Sequence, residues 1–84
     1  MPGQKVEGGA AQEEMGMVKS GQHEIPPGRN ILIGILKGNA SVRVKAGGKL
    51  EVGILKEYAK VIVEKGGTFV CNLNKASGES VVYE

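Results

Sequence analysis

The chain has 84 residues, 24% of them charged, and a formal net charge of +2, which bounds it to one small domain. Its single cysteine, Cys71, excludes an intrachain disulfide, and there is no CxxC or Cys/His cluster to hold a zinc ion. Asp is absent and His23 is the only histidine, which removes many carboxylate dyads and calcium loops and leaves too few ligands for a histidine-based metal site.

No apolar run approaches the ~20 residues of a membrane span. The N-terminus lacks a charged region followed by an apolar one, so a cytoplasmic or virion-internal setting with a reduced thiol is expected. A chain this short buries only about 60% of its unfolded surface, which makes a partner subunit the expected extra source of stability. Charge is unevenly spread. Residues 1–28 carry two Lys against four Glu, whereas residues 29–84 carry nine Lys or Arg against five Glu. The second part is basic enough to favour an acidic surface, yet lacks the dense basic stripe of a dedicated nucleic-acid binder.

Residues 1–20, MPGQKVEGGAAQEEMGMVKS, read as a flexible arm, rich in Gly, Gln, Glu and Ala and without a sustained apolar period. A helical turn could form over 13–18, weakened by Gly16. An arm of this kind is expected to order on a neighbouring subunit.

From Gly21 onward the chain repeats itself every nineteen residues, as 21–39, 40–58 and 59–77, with a partial fourth line from Gly78. Gly34-Ile35-Leu36-Lys37 recurs as Gly53-Ile54-Leu55-Lys56, and Asn72-Leu73-Asn74-Lys75 falls in the same columns. Apolar residues alternate with polar ones within each line, as in Val42-Arg43-Val44-Lys45, and many are β-branched, which argues half-buried strands. Pro27-Gly28, Gly47-Gly48 and Gly66-Gly67 separate the strand segments as sharp corners.

The expected fold is therefore all-β, a parallel β-solenoid in residues 21–84 whose coils stack to make one core. Its inward ladders would be Ile25-Val44-Val63-Val82, Ile31-Leu50-Phe69, Ile33-Val52-Cys71 and Ile35-Ile54-Leu73. On these residues the chain resembles the nineteen-residue Gly-Gly strand–loop–strand repeats of autotransporter passengers, and more loosely the stacked coils of bactofilin-like filament proteins. It departs from them in having few repeats and little Ser or Thr, so a secreted adhesin function is not carried over. The alternative is an antiparallel barrel or sandwich. The run from His23 to Gly38 resembles half of a cupin motif, but Ile25 stands where a second histidine ligand would be.

No residue here makes a catalytic constellation, and no cofactor is implied. His23 and Glu24 are neighbours on a strand and so face opposite ways. Cys71 lies in an apolar ladder and reads as a small hydrophobe. Neither glycine pair is followed by Gly-Lys-Ser/Thr, so they are turns and not a phosphate loop. What remains is surface. Alternation turns Leu32, Ile62, Val70 and Val81 away from the core, and Leu36 and Leu55 follow an inward Ile, which makes these six the expected oligomer interface. Lys37, Lys56 and Lys75 share a column and form an expected docking strip for an acidic partner.

These features point to a non-enzymatic structural protein that self-associates, as a trimer or as a unit of a larger shell or filament. Its design logic is similar to that of small virion decoration proteins. One rival reading is a small-molecule barrel using His23, Glu24 and Arg29. The other is a basic adaptor for nucleic acid, weakened by the scarcity of stacking aromatics.

Overall fold

The computed structural model describes residues 12–84, and every element among them is a strand. In chain order these are β1 (Gln12–Val18), β2 (Gln22–Ile25), β3 (Asn30–Leu36), β4 (Ser41–Val44), β5 (Lys49–Glu57), β6 (Lys60–Val63), β7 (Thr68–Ala76) and β8 (Val81–Tyr83). The long odd-numbered strands make one sheet, in the order β1-β3-β5-β7, and the short even-numbered strands make the other, β2-β4-β6-β8. Every pairing is parallel. Parallel neighbours need a crossover between them, and here the crossover is a strand of the opposite sheet. The result is a two-sheeted β-solenoid of about four turns, and the antiparallel barrel is overturned.

Most of the expected ladders are present. Ile31 pairs with Leu50 and Leu50 with Phe69, and Ile33-Val52-Cys71 lie alongside them. Opposite them run Ile25-Val44-Val63 and His23-Val42-Val61. Val42, Val44, Leu50, Val52 and Val61 are all completely buried between the sheets. Burying a side chain of this size stabilises by about 1.5–3 kcal/mol, and the ladder spacing of ~4.8 Å lets like side chains pack on like.

The arm reading fails for residues 12–20. Gln12–Val18 is a strand paired with β3, and no helical turn forms over 13–18. Gly16-Met17-Val18-Lys19 matches the columns of Gly34-Ile35-Leu36-Lys37, so a further coil precedes the three full lines read from the sequence. This coil is one residue shorter at its polar corner, which offsets β1 from β3 by eighteen residues and β2 from β4 by nineteen. The rest of the expected arm, residues 1–11, lies outside the described residues.

A second correction concerns Leu36 and Leu55. Both were expected at an interface, and both are fully buried. Strict alternation breaks at Gly34 and Gly53, where two successive residues, Gly-Ile, stay off the core side. The phase then slips by one and the following Leu turns inward. Ile35 and Ile54, expected inside, are displaced to the outer face and are only half-buried.

Val81 is the third correction. β8 pairs Val61 with Val81 and Val63 with Tyr83, an offset of twenty residues and not nineteen. The extra residue sits in the corner around Gly78, whose φ of 68° requires a conformation open to glycine. Val81 therefore packs against the core cluster, and Val82 takes the outer side.

Candidate interaction surface

Three surfaces could carry function, and each follows from the stacking. The first is the outer face of the long-strand sheet. Leu32 and Val70 lie in one outward column with Glu14 and Glu51, and Val70 is 41% exposed. Beside it runs the Ile35-Ile54-Leu73 column, which sequence reading placed in the core, extended by Met17 of β1. Met17 and Leu73 at its ends are 54% and 44% exposed. The signal for this column was available in the repeated glycine before each Ile, which marks where the phase slips.

Lys37, Lys56 and Lys75 do form a ladder along the polar corner, next to that apolar column. Lys19 extends it, since the amide of Lys37 donates to the Val18 carbonyl and so sets the two corners side by side. Lys37 has a carboxylate nearby, with its Nζ 4.0 Å from Glu57 Oε2. Glu57 itself is held at φ 61° in the left-handed region, in the column where Gly38 has φ 66°. Its Oε1 accepts a 2.8 Å hydrogen bond from the Gly38 amide of the coil before.

The second surface is the outer face of the short-strand sheet, where Ile62 lies half-buried beside Arg43. Ile62 is thus on the opposite sheet from Leu32 and Val70, so the expected interface residues do not form one patch. Arg43 Nη1 donates to Glu64 Oε2 at 3.1 Å and to Glu84 Oε1 at 3.2 Å, and Lys45 Nζ lies 3.5 Å from the same Glu64 oxygen. Partial desolvation pushes the Glu64 carboxyl up, but the Arg43 hydrogen bond and the Lys45 charge outweigh it and hold the group below its ordinary range. The hydrogen bonds from Arg43 to Glu64 and Glu84 raise its own pKa further. This cluster ties β8 to β4 across β6.

A cleft of about 170 Å³ opens beside it, lined by Gln22, His23, Glu24, Ser41, Arg43 and Ile62. His23 Nε2 is 3.0 Å from the Ser20 carbonyl oxygen, a local corner contact. Arg29 does not join this cleft and instead pairs with Glu13, so the small-molecule trio of His23, Glu24 and Arg29 is not brought together. No group of three His, Cys, Asp or Glu side chains is placed to hold a metal among the described residues.

The third surface is the end of the stack formed by β7 and β8. Among the described residues neither strand has a neighbour on its far side. β7 is nine residues long, and its first seven, Thr-Phe-Val-Cys-Asn-Leu-Asn, carry no charge. Phe69 and Cys71 continue core columns but are only partly buried there. Cys71 Sγ lies 3.4 Å from the Leu73 carbonyl oxygen. In the Leu36-Leu55 column this last coil carries Asn74, whose Nδ2 reaches Ser80 Oγ at 3.4 Å while its Oδ1 accepts from the Ala76 amide. Comparison with known proteins found no matching family, curated protein or solved structure.

Proposed function

We propose that the chain is a non-enzymatic structural protein whose activity is self-association, as a building block of a larger shell or filament. The observation that carries this is the far side of β7, a nine-residue strand paired only with β5 among the described residues, with a seven-residue uncharged run. Natural sheets shield such edges with charge, proline or bulges, and an unshielded one pairs with another chain. The exposed Met17, Val70 and Leu73 add apolar surface on the adjoining sheet face, of the kind that partners cover. Light scattering on the intact chain at micromolar concentration tests this. A mass above that of one chain is expected, and a monomer would contradict it.

The lysine ladder favours a second role, docking on an acidic protein surface. Like charges stacked at ~5 Å repel by about 1 kcal/mol per pair in water, and an acidic partner relieves that repulsion. Binding to an acidic protein should then weaken with salt and with Lys56→Gln or Lys75→Gln.

A further inference from the structure

The geometry points to a two-fold dimer in which the β7–β8 end of one copy meets the same end of a second copy. This rests on the self-association reading and specifies its contact. Two arrangements could cover the β7 edge, and the side chains discriminate between them. Head-to-tail stacking would continue the columns into β1 of the next copy. It would set Phe69 and Val70 against Glu13 and Glu14, and Lys75 against Lys19, which adds a lysine to the ladder and buries a carboxylate on an aromatic ring.

Antiparallel pairing of β7 with its own copy avoids both conflicts. The break in alternation falls at Asn72-Leu73, so a dyad between these two residues matches the faces of the two strands. Cys71 then lies opposite Asn74 of the second copy, and Phe69 opposite Ala76, all on the core side. Val70 lies opposite Lys75 on the outer side. At the ends of the strand the corner holding Lys65 meets the corner holding Glu79, and both side chains are exposed and of opposite sign.

The same dyad serves the other sheet. Asn74 touches Ser80 across the core, and the two strands run in opposite directions, so the Asn72-Leu73 dyad projects close to the middle of β8. Val81 and Tyr83 then face their counterparts around the same axis. Each four-stranded sheet becomes eight-stranded, and the half-buried Phe69 and Cys71 become core. An interface of this kind is isologous and closes after two copies, so the dimer is the unit, and growth into a larger shell or filament would use its outer sheet face, where Met17 and Leu73 are exposed.

The test uses the full chain with one substitution, Asn74→Cys, and the native Cys71. Directly opposed residues of an antiparallel pair lie within disulfide reach, so mild oxidation should give a crosslinked dimer on a non-reducing gel. The unsubstituted chain, and Asn74→Cys combined with Cys71→Ser, should give none. Because Asn74→Cys also removes the Ser80 contact, a charge swap read by sedimentation provides a second measure. Val70→Lys should raise the dimer dissociation constant about tenfold by facing Lys75 of the other copy, and adding Lys75→Glu should restore it. An oligomeric mass without the crosslink and without this rescue overturns the dyad and leaves self-association standing. A single-chain mass overturns both.

Discussion

A side chain on Gly53 would place its Cβ 2.7 Å from the carbonyl oxygen of Gly34, one coil below. The same holds one step earlier, where a Cβ on Gly34 would lie 2.8 Å from the Gly16 carbonyl oxygen. At these glycines the neighbouring long strand leaves no room for a Cβ, and the inward phase slips. The nearest atoms are all backbone of the preceding coil, which cannot swing aside as a flexible side chain would.

Gly53→Ala should therefore destabilise by about 1–3 kcal/mol, as overpacking does. Gly16→Ala, which meets nothing within 4 Å, should change little. Urea midpoints of the two variants check this, and equal midpoints would remove the close-approach argument.

The phase slip makes a second expectation. Leu55→Ala empties a fully buried site and should cost about 2–5 kcal/mol. Ile54→Ala, one residue away on the half-buried outer face, should cost about 1 kcal/mol. The reverse order would mean that the alternation runs unbroken through Gly53.

Glu57 combines a cost with a gain. Its left-handed backbone costs about 1–2 kcal/mol for a residue with a Cβ, and its bond to the Gly38 amide returns about 1 kcal/mol or more. Glu57→Ala keeps the cost and loses the bond, so it should destabilise by about 1 kcal/mol. Glu57→Gly loses both and should lie within about 0.5 kcal/mol of the unsubstituted chain. Thermal midpoints of the pair separate backbone from side chain.

The Glu64 carboxyl titrates below its ordinary range in the folded state because of Arg43 and Lys45, although desolvation opposes them. A lowered folded pKa contributes stability above the unfolded value, near 4.3, and that stability is lost as pH falls through the folded value. Stability should thus decline from about pH 4 downward, and Glu64→Gln should flatten that decline. An unchanged acid limb in Glu64→Gln would show that the cluster is not coupled to folding.

Much of this fold was legible as columns. Ladders such as Ile33-Val52-Cys71 needed only the nineteen-residue spacing and apolar identity at each step. What escaped did so for physical reasons. β1 was missed because Glu13 and Glu14 break the apolar pattern, although Gly16-Met17-Val18-Lys19 keeps the columns, and a strand paired in parallel draws its stability from its neighbour. Leu36 and Leu55 were misplaced because strict alternation assumes an unbroken pleat, and a glycine lets the strand bend. Val81 changed sides through one added corner residue, and a one-residue slip moves every side chain of a strand to the other face. Of the surface, the lysine ladder was legible as a column. The apolar column Met17-Ile35-Ile54-Leu73 was not, because it depends on the slip.

Assembly is the central claim, and the dependence of thermal unfolding on protein concentration tests it most directly. If the folded chain is stabilised by copies of itself, the midpoint rises with concentration, because association draws on the folded state alone. The account predicts that rise, and its loss in Val70→Lys. A midpoint independent of concentration, with a single-chain mass, would contradict it.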